Sequence, residues 1–270
     1  MLFGNFEGKE MKISRDEDFI MGQFGRADFS CRGRGARWRR KRFCECDFTE
    51  ADLTGVRDCG CRFEYCDFVR TNTTEFGMGD GGKPSVYEHC LFQEVKLRAV
   101  GCCEFYDCTF IHCDFEAVDF GRSYFDGAVF IGRVSNCVFA TREKETKKRR
   151  KNRMEGVSFR QAALCGVRFC GGVELDRIEL PVKGVYAYFS DFRNQCDRMS
   201  RLAEGDAECR NELNRFRKIF GGDARQKDYL VNLEDIAVSL GLGNRTIRLI
   251  WDCADFVQLD GEKFFGDRIE

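Results

Sequence analysis

The sequence predicts an all-β solenoid closed at its C-terminal end by a small α-helical cap. Three observations lead to this prediction: phenylalanine recurs at every fifth position from Phe105 to Phe130, a small or modest side chain precedes each one by two residues, and helical spacing replaces this pattern after Asn194. Helices repeat near 3.6 residues and strands near 2.0, so neither brings every fifth side chain to one environment. A backbone that turns through about a quarter circle every five residues does so.

The inward side chains of such a coil are predicted to be the phenylalanines and their small partners, stacked on the next coil about 4.8 Å away. The predicted core centres are Phe48, Leu53, Phe63, Phe68, Phe105, Phe110, Phe115, Phe120, Phe125 and Phe130. Several of the 17 cysteines, among them Cys46, Cys66 and Cys108, occupy the small position. A buried free thiol acts there as a small apolar group, which favours reduced thiols in a cytoplasmic protein over a disulfide scaffold.

The triplets Cys46-Asp47-Phe48, Ala51-Asp52-Leu53 and Cys66-Asp67-Phe68 resemble the pentapeptide-repeat family. Its pattern is a small residue, then Asp or Asn, then Leu or Phe, then two polar positions. The resemblance covers residues 15–192, with breaks. It implies a right-handed quadrilateral β-helix of about twenty residues per coil, in which each coil contacts only its neighbours.

The chain is predicted to comprise an N-terminal lead-in at 1–14, the β-helix at 15–192 and an α-helical C-terminal region at 193–270. Two segments are predicted to be loops inserted in the β-helix: a glycine-rich one near 76–85 and a basic one at 141–153. Asp58 at a centre and Lys41 at a small position do not fit the repeat. They predict either a locally distorted coil or a shifted frame.

Three helices are predicted in the C-terminal region. The first carries apolar residues from Met199 to Phe220, the second from Tyr229 to Leu240, and the third, capped by Asn244, carries them to Val257. Because a solenoid end exposes unpaired backbone, we expect these helices to cover it. Alternatively, their apolar face forms a homodimer.

Catalytic and membrane functions find no support in the sequence. No run of 18 apolar residues and no GxSxG or HExxH motif occurs, and the glycine-rich loop lacks the spacing of a phosphate loop. His112 lies between Cys108 and Cys113, but both cysteines are predicted to face inward, which argues against a metal site. The prediction is a protein without enzymatic activity, cofactor, metal or membrane association.

Charge is unevenly distributed behind a net charge of −1. Residues 43–140 hold 17 acids against 8 bases, residues 1–42 hold 6 against 11, and residues 141–169 hold 3 against 10. Because the charge pattern sets the local field, the acidic body and the basic loop are the candidate partner-binding surfaces. The candidate residues are Asp47, Asp52, Asp67, Glu104, Asp114 and Asp119, which lie at the outward position before a centre, with Arg149 and Arg150 in the basic loop.

Residues twenty apart share a face, so Asp47 and Asp67 are predicted to stack as a carboxylate row. The resemblance implies that such a rod imitates duplex DNA, as in family members that protect DNA gyrase from quinolones. The resemblance therefore implies a protein-binding rod and DNA mimic that engages a DNA-handling enzyme such as DNA gyrase/type II topoisomerase, with a role in antibiotic resistance.

Three alternatives stay open. The aspartates fit the outward corner of the repeat and only keep the rod soluble. The basic loop 141–153 and the C-terminal helices hold another protein, as in a scaffold or effector. The basic segments bind nucleic acid directly, which is the less favoured class.

Overall fold

The computed structural model describes residues 4–12, 18–30, 36–80, 83–141, 152, 154–222, 225–260 and 262–265. The coils are built from the short strands β1 (Phe19–Ile20), β2 (Arg37–Arg39), β3 (Arg42–Cys44), β4 (Arg57–Cys59), β5 (Arg62–Glu64), β6 (Asp67–Val69), β7 (Gly77–Met78), β8 (Ser85–Glu88), β9 (Leu91–Gln93), β10 (Ala99–Val100), β11 (Cys103–Tyr106), β12 (Thr109–Ile111), β13 (Tyr124–Asp126), β14 (Val129–Ser135), β15 (Val138–Ala140), β16 (Ser158–Cys165) and β17 (Arg168–Cys170).

The chain then continues through a 3-10 turn at Leu175–Arg177 into β18 (Val185–Phe189), α1 (Phe192–Leu202), α2 (Ala207–Phe220), β19 (Tyr229–Asn232), α3 (Leu233–Ser239), α4 (Asn244–Cys253), β20 (Phe256–Leu259) and β21 (Glu262–Phe265).

The coils form a four-sided parallel β-helix whose faces the chain visits in turn. The first face is the sheet of β1, β3, β5, β8, β11 and β13, and the second is the sheet of β6, β9, β12, β14 and β16, extended by bridges from Asn5 through Gln23 and Asp47. The third face is held by single bridges in the earlier coils, such as Asp28 to Asp52, and by the second halves of β14 and β16 in the later ones. The fourth consists of β2, β4, β7 and β10, continued by β15 and β17.

The interior is a continuous stack of aromatic rings. All ten predicted core centres are buried, and rings on successive coils stack, as Phe43 does on Phe63 at 4.8 Å and Phe48 on Phe68 at 4.9 Å. The spacing equals the strand separation of a parallel sheet, so backbone hydrogen bonding and ring stacking share one repeat.

Cysteine at the small position also has a polar role. The thiols of Cys46, Cys66 and Cys90 each donate to a carbonyl oxygen of the preceding coil, that of Phe19, Phe43 and Phe63 respectively. A buried side chain that fills a small volume and bonds a carbonyl suits a position where the coils approach closely.

Insertions and deletions change the coil length at defined points. Phe43 pairs with Phe63 at the regular 20 residues, whereas Phe63 pairs with Tyr87 at 24 residues and Tyr87 with Phe105 at 18. The glycine-rich segment was predicted as a loop from 76 to 85, but Gly77–Met78 forms β7 and Ser85 begins β8. The irregular part is therefore shorter than predicted, because Phe76 and Met78 are buried and keep the chain on the fourth face.

Asp58 lies at a true centre of the repeat, and the coil is not displaced around it. It pairs in register with Trp38 on the fourth face and is completely buried. Its carboxylate accepts hydrogen bonds from the Gly79 amide and the Tyr87 hydroxyl. Burial raises the pKa of Asp58 to about 6. The five-residue frame predicted from the sequence is therefore correct at Asp58. This residue departs from the repeat because it belongs to a buried polar cluster with Gly79 and Tyr87.

The C-terminal unit covers the last coil with its side chains. The Tyr186 hydroxyl accepts from the Leu164 amide at 3.0 Å, and Asn232 Nδ2 donates to the Leu164 carbonyl at 2.9 Å. Asp235 accepts from the Gly166 amide at 2.8 Å. Backbone groups that a further coil would pair are satisfied in this way, which is the role expected of a cap.

This unit is not purely helical, and the sequence prediction missed its sheet. β18 pairs antiparallel with β19 and β20, and β20 pairs with β21. Tyr229 and Leu230, predicted as helical, lie in β19, and Val257 lies in β20. The predicted first helix is two helices separated at 203–206, and α4 is preceded by Gly243 as its N-cap residue rather than capped by Asn244.

Candidate functional site

The six candidate carboxylates do not converge on one surface. Asp47 and Asp67 lie on the second face, Asp52 and Asp114 on the third, Glu104 on the first and Asp119 on the fourth. Only the first two are neighbours on successive coils. The other candidates, Arg149 and Arg150, lie outside the described residues.

Asp47 and Asp67 form the predicted carboxylate row. They pair in register across adjacent coils, and neither has an ion pair with a described cation. The pKa of Asp67 is raised, first by partial burial and then by the negative charge of Asp47. This like-charged pair lowers stability instead of raising it, so folding does not account for both charges.

A second row on the third face contains Asp28, Asp52 and Asn72. Asn72 Nδ2 donates to Asp52 Oδ1 at 3.0 Å, and among the described residues neither Asp28 nor Asp52 has an ion pair. By contrast, Asp114 is bound to Arg98 at 2.6 Å, and the hydrogen bond from the Glu116 amide together with Arg98 lowers the pKa of its carboxyl. Of the candidate carboxylates, Asp47, Asp52 and Asp67 thus lie in the N-terminal coils of the second and third faces and have no ion pair with a described cation.

Most of these aspartates have a structural role at the corners. In each case Oδ1 accepts the backbone amide two residues later, an Asx turn. The residues that do so include Asp28, Asp47, Asp52, Asp114 and Asp119. Asp67 and Glu104 make no such bond. The Asp of the repeat is thus explained by turn formation at most positions, and Asp67 is the exception within the row.

Substitution should separate these two roles. We expect Asp52→Ala to lower the free energy of unfolding by about 1 kcal/mol, because the Thr54 amide and hydroxyl lose their acceptor. Asp67→Asn removes a repulsion and loses no bond, so it should leave stability unchanged or raise it slightly. Urea unfolding of both variants at pH 7 measures the difference. Equal losses would show that the two aspartates do not differ in role.

Arginines elsewhere on the rod alternate with acids in ladders. Glu50 lies between Arg26 and Arg70, at 2.7 Å and 2.9 Å, and these bonds lower the pKa of its carboxyl. On the first face Arg42 bonds Glu64 at 2.7 Å, and Arg62 bonds both Glu64 and Glu88. The acids at these corners are all paired with arginines, so these corners do not extend the acidic surface.

Exposed apolar side chains accompany the carboxylate row. Tyr65 and Met21 are each 58% exposed and lie on the corner between the first and second faces, where the ring of Tyr65 stacks on His89 at 4.7 Å. Tyr65 is two residues before Asp67. The sequence prediction did not include Tyr65. An aromatic residue at a position that is polar in the repeat pattern would have indicated it as a candidate contact residue.

Two further features concern metal binding and membrane insertion. Among the described residues no three His, Cys, Asp or Glu side chains are arranged to hold a metal ion. Cys108 and Cys113 are buried with their thiols on carbonyl oxygens, whereas His112 is exposed. Within the same part of the chain, no helix combines the length and apolar character needed to cross a bilayer.

Comparison with known proteins agrees with this architecture. A family model described as pentapeptide repeats matches in eight copies, with residues 34–57 matched. No curated protein matches the sequence. Among solved structures, full-length QnrB1, a plasmid-mediated fluoroquinolone resistance protein, is similar at 15% identity, with a TM-score of 0.36, covering 61% of this chain and 91% of its own.

HetL, a pentapeptide-repeat protein involved in heterocyst differentiation regulation from the cyanobacterium Nostoc sp. strain PCC 7120, is similar at 18% identity, with a TM-score of 0.21. The match covers 60% of this chain and 84% of HetL. At such TM-scores neither likeness bears on which partner this chain binds.

Proposed function

Because the chain is a pentapeptide-repeat protein, we propose that it works without catalysis, as a rigid rod that binds a protein through the N-terminal coils of its second face. The proposed partner is a DNA-handling enzyme such as a type II topoisomerase, which accepts the rod in place of duplex DNA.

The observation that carries this proposal is the pair of stacked carboxylates, Asp47 and Asp67, which have no cation among the described residues. At other corners of the rod acids are paired with arginines in ladders, as Glu50 is with Arg26 and Arg70. Unneutralised charges on a rigid scaffold at strand spacing favour a cationic partner surface, and the cationic surfaces of DNA-binding enzymes are built for such a row of anions.

The neighbouring apolar side chains favour a protein as the partner. Tyr65 and Met21 are exposed on the corner next to this row. Tyrosine is enriched among the residues that dominate protein interfaces, where an apolar anchor is surrounded by charged side chains that set orientation. Nucleic acid would be repelled by Asp47 and Asp67, so a basic protein surface fits better.

The test measures DNA gyrase supercoiling and drug-stabilised cleavage with the purified protein at micromolar concentration. We expect an effect on both, and we expect the Asp47→Asn/Asp67→Asn double variant to need about tenfold more protein for it. Asparagine keeps the corner acceptor of Asp47, so the fold is preserved.

The matched control removes two charges elsewhere. Glu204 and Glu208 are exposed in the C-terminal unit, and Glu204→Gln/Glu208→Gln should act like the unmodified protein. An absence of any effect on gyrase rejects this partner. An equal loss of the effect on gyrase in both double variants rejects the second face as the contact surface.

A further inference from the structure

The fourth face carries a group of cations that the proposed function does not use. They are Arg37 and Arg39 on β2, Arg40 at the following corner, Arg57 on β4, and Lys83 beyond β7. All five are exposed. We call them the basic patch.

The basic patch differs from every arginine ladder on the rod. Arg37, Arg39, Arg40 and Lys83 have no ion pair within the described part of the chain, and Arg57 has one, to Asp80 at 3.0 Å. Arg37 pairs in register with Arg57, so like charges lie one strand spacing apart, about 4.8 Å at the backbone. Directly opposed like charges lower stability, so folding alone does not explain this arrangement.

Glycines keep the patch open. The stem of Arg57 passes over Gly77, where an added Cβ would lie 3.3 Å from Arg57 Cγ. Arg40 and Lys83 flank Gly60, at 3.9 Å and 3.3 Å from a Cβ placed there. Gly60 has a φ of +64°, which L side chains rarely adopt. Cations of three successive coils therefore meet without a side chain between them.

We propose that the basic patch binds the phosphate backbone of nucleic acid. Four of its five members are arginines, whose planar guanidinium offers two parallel donors to a phosphate. Binding of this kind depends on charge and on release of counterions rather than on base sequence.

The lack of apolar anchors argues against an acidic protein as the ligand. The large exposed apolar side chains of the described residues are Met21, Tyr65, Leu202, Ile219, Val238 and Leu259. None belongs to the fourth face. A stable protein interface needs a desolvated apolar or aromatic centre, whereas backbone contacts to nucleic acid are supplied by cations alone.

The two surfaces are separate, so the inference does not depend on the proposed function. The carboxylate row lies on the second face and the basic patch on the fourth, on opposite sides of the rod. A protein built in this way holds a cationic enzyme surface on one side and a nucleic acid on the other.

The experiment measures fluorescence anisotropy of a fluorescein-labelled 20-base-pair duplex titrated with the full chain at several salt concentrations. Arg37→Gln/Arg39→Gln should weaken binding at least tenfold at low salt and reduce the slope of log affinity against log salt by about 2, roughly 0.9 for each lost phosphate contact. The matched control is Arg26→Gln/Arg70→Gln, which removes two ladder arginines and should leave the slope unchanged. Circular dichroism melting verifies that both variants are folded.

Three results would overturn the proposal. One is an equal loss of duplex affinity in Arg37→Gln/Arg39→Gln and in Arg26→Gln/Arg70→Gln. Another is loss of duplex binding only when the basic segment 142–153 is neutralised, with no effect of Arg37→Gln/Arg39→Gln. The third is tighter binding of a poly-glutamate peptide than of the duplex, which identifies an acidic protein as the ligand. Asp47→Asn/Asp67→Asn should leave duplex binding intact, which separates this test from that of the proposed function.

Discussion

Replacement of Phe63 by alanine is expected to lower the free energy of unfolding by about 3–5 kcal/mol, the usual cost of removing a buried aromatic ring. Phe63 is completely buried and stacks on Phe43 at 4.8 Å and on Tyr87 at 4.7 Å. Because each coil of a solenoid contacts only its neighbours, no distant residue can move in to fill the cavity.

Tyr65 provides the control, since it follows Phe63 by two residues and is 58% exposed. Tyr65→Ala should change the free energy of unfolding by no more than about 0.5 kcal/mol. Urea unfolding followed by circular dichroism measures both variants. A loss for Phe63→Ala as small as that for Tyr65→Ala would contradict the ring stack as the source of stability.

Asp58 is expected to make the protein less stable as pH rises from about 4 to about 6. The folded state holds this carboxyl at a pKa of about 6 because it is buried, whereas the unfolded chain has a pKa of about 3.9. Between these values the folded state keeps a proton that the unfolded state has lost, so stability falls. A difference of about two units corresponds to about 3 kcal/mol. Above about pH 6 the contribution is constant.

Asp58→Asn isolates this effect, because asparagine does not titrate and its oxygen still accepts from the Gly79 amide. Urea unfolding at pH 4, 5, 6 and 7 gives the free energy of unfolding of both proteins, and other titrating groups cancel in the difference. The stability of the unmodified protein relative to the variant should decrease with pH. A relative stability that is constant or increases would show that the hydrogen bonds from Gly79 and Tyr87 outweigh burial.

The β-helix follows from the sequence because a single period fixes it. The residue two before a centre is small, the one just before it faces out, and the register of Asp47 with Asp67 needs only a count of twenty. The count fails once coils change length. Tyr87 is 24 residues after Phe63 and 18 before Phe105, so the faces of Glu104 and Asp114 cannot be assigned by multiples of twenty.

The C-terminal sheet was not predictable in the same way. β19 is four residues long and runs directly into α3, and its apolar residues Tyr229, Leu230 and Val231 suit either a strand or a helix. Only pairing with β18, forty or more residues earlier, decides between them. Asp58 is similar: the frame placed it inside, but its partners Gly79 and Tyr87 become visible only when the coils are stacked.

The most direct test of a rod that takes the place of DNA is competition for one enzyme. Labelled duplex bound to DNA gyrase is titrated with the Arg37→Gln/Arg39→Gln protein, in which duplex binding by the basic patch is weakened. The protein should release the duplex from the enzyme. When Asp47→Asn/Asp67→Asn is added to it, the protein concentration that releases half of the duplex should rise about tenfold. A complex in which enzyme, duplex and protein are bound together, with no release of duplex, would contradict the account.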